Sequence, residues 1–208
     1  MLLYVFGNDW GLCERAFDHE VSTMDMKQRI WSFDTDGVLN NYPAVWLEFI
    51  ALCTGKIFPS VDVAKGALFE RYNQLKHEYR LSDFKYSVPV NHEAKETIAL
   101  LKQRGDTVYI STSRPLGDYP DMRQRTMEWL KKSGIQFDGF LEKNGHGLKE
   151  KGCMVHIDDE PDAIKVLYDQ GIRCILYQRG QAINQTFSFA PMIGDLRELL
   201  HVEVGVLS

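Results

Sequence analysis

From Arg29 onward the chain alternates short apolar runs with longer amphipathic ones, and that alternation restricts it to a parallel sheet with helices on both faces. The apolar runs are RIWSFD (29–34), DTVYIST (106–112), FDGFLE (137–142), CMVHIDD (153–159) and GIRCILYQ (171–178). A strand buried on both faces is apolar at most positions rather than at every second one, so these runs read as core strands. Between them lie NHEAKETIALLKQRG (91–105), YPDMRQRTMEWLKKSG (119–134) and EPDAIKVLYDQG (160–171), each with a polar start and a glycine stop. In the first, Ala94, Ile98 and Leu101 recur at helical spacing, Lys102 and Arg104 suit the negative helix end, and Gly105 can take the left-handed stop conformation. The expected fold is α/β, a Rossmann-like parallel sheet flanked by helices.

One stretch breaks the pattern. AVWLEFIALC (44–53) and VDVAKGALFERYNQLKHEY (61–79) both read as helices with no convincing strand between them. Residues 43–87 are therefore expected to form a small helical cap inserted after the first strand, with residues 29–42 and 88–208 making the core domain. In open α/β sheets ligands bind outside the carboxyl ends of the strands, the end at which this insertion leaves the sheet. Residues 1–28 read as a peripheral N-terminal segment. Two readings stay open there: a natural start at Met24 or Met26, or an edge strand at LLYVF (2–6). With 208 residues, 44% hydrophobic, the chain suits one domain with a modest insertion.

Charge and cysteines narrow the setting. A net charge of -5 offers no broad basic face, so a long nucleic acid is not an expected partner, whereas a small anionic substrate in a local cationic pocket is. Cys13, Cys53, Cys153 and Cys174 form no C-x-x-C pair, which suits a reducing, cytoplasmic location. No segment has membrane-spanning length. The oligomeric state stays open.

The chemistry concentrates at strand ends. Asp34 and Asp36 follow IWSF and precede Gly37, and D-T-D-G can be an ordinary acidic turn. It can also be a reaction centre: one carboxylate attacks an electrophilic phosphorus, and a second, its pKa raised by burial and by its neighbour, protonates the departing oxygen. Asp158 and Asp159 end another apolar run just before a helix. They suit an N-cap, or, with Asp34, the hard oxygen donors that Mg²⁺ takes. In YISTSRP (109–115), Thr112 or Ser113 can donate a hydroxyl hydrogen bond to phosphate, and Arg114 is a fork suited to an anion. A lysine to balance this charge is offered by Lys143, Lys149 and Lys151. Lys143 comes directly off a strand-like run and is favoured, with Lys149 in reserve. His156 reads as a packed strand histidine rather than a metal ligand. Tyr42, Trp46 and Phe49 suit packing within the cap better than stacking on a base.

As an ordered set, FDTDGVL, YISTS, the lysine in LEKNGHGLKEK and HIDDEP resemble the four motifs of the haloacid dehalogenase superfamily, over Arg29 to about Gln178. The resemblance implies Mg²⁺ as cofactor, a phosphoaspartyl intermediate on Asp34 and Asp36 as acid and then base. It further implies phosphoryl binding by Thr112, a steadying Lys143, and metal held by Asp34, the carbonyl of Asp36, Asp158 and Asp159. Within the superfamily, DTDGVL, TSRP and DDEP look most similar to 5'(3')-deoxyribonucleotidase-like phosphatases, while RQRTMEWLKKSG is also similar to polynucleotide 3'-phosphatase domains, where Arg114 and Arg123 would touch substrate. The expected activity is a magnesium-dependent phosphomonoesterase acting on a nucleotide or other small phosphorylated metabolite. The alternatives are a polynucleotide 3'-phosphatase-like activity and a catalytically idle binding module.

Overall fold

The computed structural model describes residues 29–179 and 189–202. The candidate edge strand at 2–6, Met24, Met26 and Cys13 lie outside the described residues. The five apolar runs form β1 (Ile30–Asp34), β2 (Thr107–Thr112), β3 (Gly139–Glu142), β4 (Val155–Asp158) and β5 (Cys174–Tyr177), and Met192–Ile193 adds β6. All pairings are parallel, in the order β3-β2-β1-β4-β5-β6. β1 is thus central, and the chain winds outward from it first through β2 and β3 and then through β4, β5 and β6. The crevice between β1 and β4, where that direction reverses, is where such sheets place a ligand.

Helices α4 (His92–Gln103), α5 (Met122–Lys132), α6 (Gly145–Glu150) and α7 (Pro161–Asp169) cover the sheet. The Asn91 side chain accepts the amide of Glu93 at the start of α4, and Pro161 occupies the first turn of α7, where no intrahelical donor is needed. One core cluster joins Trp31, Phe33 and Ile110 to Ile98, Leu101 and Trp129; another packs Leu148, Ile164 and Leu167 on Cys174 and Leu176. The buried indole of Trp31 donates to Asp106, 3.0 Å away, so the ring is packed without an orphaned donor. β6 and the 3-10 turn at Leu196–His201 escape a periodicity reading because they are too short to show a period. Leu196 and Leu199 of that turn are nevertheless fully buried in the core.

Between β1 and α4 the chain forms α1 (Ala44–Thr54), α2 (Val61–Leu81) and α3 (Phe84–Ser87), with α2 interrupted at Phe69. This insertion has its own apolar cluster of Trp46, Phe49, Ile50, Ala64, Tyr72, Leu75 and Tyr79. Trp46 and Phe49 are spent on packing: Trp46 stacks on Phe49 and its indole donates to the Tyr72 hydroxyl at 3.1 Å. No helix among the described residues is long and apolar enough to cross a membrane.

Candidate active site

The carboxyl ends of β1, β2 and β4 meet at one edge of the sheet. Phe33 pairs with Ile157, so the next residues, Asp34 and Asp158, leave the two strands side by side. Both are buried. Asp159 follows, and one oxygen each from Asp34, Asp158 and Asp159 lies within 4.8 Å of the others. Gly37 makes this approach possible: its φ of +87° is a left-handed conformation, and a Cβ there would overlap the Asp159 carboxylate.

Lys143, just past β3, supplies the balancing charge. Its Nζ stands 3.0 Å from Asp34 Oδ1 and 2.8 Å from Asp158 Oδ2, with the lysine side chain 5% exposed. Lys149 and Lys151 are exposed, one on α6 and the other just past it. Behind Asp158 stands buried His156, whose Nε2 donates to Asp158 Oδ2 at 3.1 Å while Nδ1 faces Ser32 Oγ at 3.2 Å. The histidine is a strand residue that orients an acid, not a member of the acidic cluster.

The acids are electrostatically distinct. Burial and then the Asp158 charge push the Asp34 carboxyl well above its usual range, with Lys143 opposing them. Burial would raise Asp158 too, but the His156 hydrogen bond and charge, and then Lys143, hold it down at about 2. Asp159 is raised to about 7 by burial, then by Asp158 and Glu160, and its buried Oδ1 has no hydrogen-bond partner among the described residues. Three carboxylates gathered in this way, one of them with an unpartnered buried oxygen, have the donor chemistry and crowding that a hard divalent cation relieves. The residues fit Mg²⁺.

Asp36 differs from its sequence expectation. Burial by itself would raise it, but Arg114 and then Lys85 outweigh burial and hold it far below the usual carboxylate range. Arg114 grips it with one edge of the guanidinium, Nη2 to Oδ1 at 2.6 Å and Nε to Oδ2 at 3.0 Å, while Nη1 donates to Thr126 Oγ1. Lys85 Nζ lies 3.3 Å from Oδ2 and Asn40 donates to Oδ1 at 2.8 Å. The expected neighbour effect on its pKa ran the other way because only a nearby acid, Asp34, is visible in the local sequence. The two cations come from residues 49 and 78 positions later. Lys85 had no sequence signal: it is a single lysine in the four-residue helix α3, between Phe84 and Tyr86.

Thr112 is buried at the end of β2, its Oγ1 accepting the Arg114 amide at 3.1 Å, and Ser113 is exposed at the mouth. Arg114 lines the cleft, whereas Arg123 donates to the Phe140 carbonyl on the outside of the sheet. The cleft has a volume of about 120 Å³. Asp34, Asp36, Thr112 and Lys143 form its floor, and Tyr42, Lys76, Tyr79, Arg80 and Lys85 reach it from the insertion side.

No family model and no curated protein matches the chain. Solved structures do. A putative beta-phosphoglucomutase from Thermotoga maritima superposes with a TM-score of 0.59 at 16% identity, over 84% of this chain and 99% of that one. CbbY from Rhodobacter sphaeroides in complex with phosphate gives 0.56 at 15% identity, over 83% and 96%. A haloacid dehalogenase-like family hydrolase from Streptococcus pneumoniae gives 0.55 at 14% identity, over 84% and 97%. At these identities the likeness is one of fold, and the fold is haloacid dehalogenase-like.

Proposed function

We propose that the protein is a magnesium-dependent phosphomonoesterase acting through a phosphoaspartate on Asp34, with a nucleotide or other small phosphorylated metabolite as substrate. One observation carries this reading: a buried nucleophile-competent carboxylate shares a lysine with a second acid and stands within 4.8 Å of a third, which carries an orphaned oxygen. Mg²⁺ on Asp34, Asp158, Asp159 and the Asp36 carbonyl would offset the charge of an incoming phosphate.

The chain's own groups do the rest. Asp34 attacks phosphorus as the ester oxygen departs, and the Thr112 hydroxyl and Lys143 ammonium hold the phosphoryl oxygens. Arg114 turns from Asp36 to the phosphate, since a phosphate offers the same bidentate acceptor. Released from its strongest cation, Asp36 takes up a proton from solvent, passes it to the leaving oxygen as the phosphorus–oxygen bond breaks, and later removes one from the water that attacks the phosphoaspartate. That water expels Asp34 and yields inorganic phosphate. The net charge of -5 favours a small ester over a polynucleotide. Residence in the cytoplasm belongs to the same proposal.

The test is phosphate release from an aryl phosphate and a panel of nucleoside monophosphates and sugar phosphates, with and without Mg²⁺. Activity should need Mg²⁺ and vanish in Asp34→Asn at unchanged circular dichroism. Substantial turnover by a clean Asp34→Asn preparation would sink the assignment. Turnover of sugar phosphates and of no nucleotide would discard the nucleotide half alone.

A further inference from the structure

The insertion side of the cleft holds more positive charge than one phosphoryl group needs. Arg114 and Lys143 already stand on the floor, and Lys85 is engaged with Asp36. Lys76 and Arg80, one helical turn apart on α2, line the same cleft. Like charges at this spacing destabilise a helix unless something opposes them. No carboxylate among the described residues lies within salt-bridge distance of either. The Lys76 ammonium sits 3.3 Å from the Tyr42 hydroxyl and 5.9 Å from the ring centroids of Tyr42, Trp46 and Tyr72; Arg80 lies over Tyr119 at 5.5 Å. Aromatic walls of this kind hold a cation in place and leave its charge unneutralised.

Between these residues in sequence is Tyr79, which also lines the cleft. It is only 2% exposed, and its hydroxyl has no hydrogen-bond partner among the described residues. A buried phenol without a partner is costly, and one at the edge of a cationic cleft is a donor waiting for an acceptor. The acids facing this corner are Asp36, taken by Arg114 and Lys85, and Glu160, exposed at the rim. Burial, and then the Arg80 charge, lower the Lys76 pKa while Asp36 and Glu160 oppose, a balance that a bound anion would tip toward the charged ammonium.

We propose that Lys76, Arg80 and the Tyr79 hydroxyl form a second anion subsite, so that the preferred ester carries, on the part that leaves, a further phosphate or a carboxylate. This rests on the phosphomonoesterase reading and narrows it: an ester whose leaving group is neutral fills the floor of the cleft and leaves this corner unused.

The experiment uses three matched esters, propyl phosphate, propane-1,3-diol bisphosphate and the phosphate ester of 4-hydroxybutanoate, with phosphate release measured in Mg²⁺. The wild-type kcat/KM for the bisphosphate or the carboxylate ester should exceed that for propyl phosphate by about tenfold or more, the worth of one charge-assisted hydrogen bond. Whichever of the two gains names the second anion. In Lys76→Met/Arg80→Gln, and to a lesser degree in Arg80→Gln, that ratio should fall toward one. A wild-type ratio near one, or a ratio the variants leave unchanged, overturns the subsite while Asp34-dependent release still supports the phosphatase. If no ester is turned over, the phosphatase reading fails by itself, and calorimetric binding to Asp34→Asn decides the subsite. Tighter binding of the second anion, erased by the double variant, supports it, and equal binding of all three esters overturns it.

Discussion

Replacing Lys143 by Met keeps the bulk of the side chain and removes the cation between two buried acids. Lys143, Asp34 and Asp158 side chains are 5%, 6% and 0% exposed, so water cannot take over the lost contacts. Carboxylate oxygens within 4.8 Å of each other repel by about 3 kcal/mol at an effective dielectric constant of about 20. Breaking a buried ion pair by removing one partner costs about 3–5 kcal/mol, which agrees. The cost depends on pH. Asp34 is already raised in the folded protein, and losing Lys143, which opposes that shift, raises it further. A carboxyl raised above its unfolded value of about 3.9 lowers stability progressively as pH climbs from that value through the folded one. Metal-free urea unfolding of Lys143→Met against wild type should therefore show a loss of about 3 kcal/mol or more at pH 8 that is smaller at pH 5, because a larger share of Asp34 is protonated at the lower pH and a protonated Asp34 does not repel Asp158. Millimolar Mg²⁺ should recover part of the loss by binding the folded form alone. A loss below about 1 kcal/mol at pH 8 would mean that the pair is solvated like a surface ion pair, and an equal loss at both pH values would refute the charge-repulsion account.

Other outcomes follow from the same cluster. In wild-type protein freed of metal, stability should fall as pH rises from about 4, the unfolded carboxyl value, to about 7, the folded value of Asp159; Asp159→Asn should flatten that slope in chemical denaturation. Mg²⁺ should raise the melting temperature of the wild type, and Asp159→Asn should need a markedly higher concentration for the same rise in a thermal-shift titration. Gly37→Ala should cost at least about 1 kcal/mol for its left-handed backbone alone. Because its Cβ displaces Asp159, it should also weaken the Mg²⁺-dependent stabilisation, a readout that a purely local strain would leave in place.

The central strands were legible because their signal is local. A strand buried on both faces must be apolar, and the acid that ends it is the next residue in the chain, as at Asp34 and Asp158. The short pieces were not: β6 has two residues, and its place beside β5 comes from the pairing of Met192 with Leu176 rather than from any period. The same division runs through the site. The acids and Thr112 can be named from strand ends, and Lys143 from its position just after one. That Lys143 bridges Asp34 and Asp158, with Lys149 out on a helix surface, required the register of β2 with β3.

By itself the sequence determined a parallel α/β sheet with acids at the ends of two strands, because hydrophobic periodicity and strand-end chemistry are written in neighbouring residues. Only the tertiary structure decided how those acids are tuned. Arg114 and Lys85 close on Asp36 from far along the chain, Lys143 reaches Asp34 from another strand end, and α2 turns Lys76, Tyr79 and Arg80 toward the cleft. A pKa depends on the charges and the burial within a few ångströms, and in this fold most of those neighbours are brought in by long-range closure rather than by sequence adjacency.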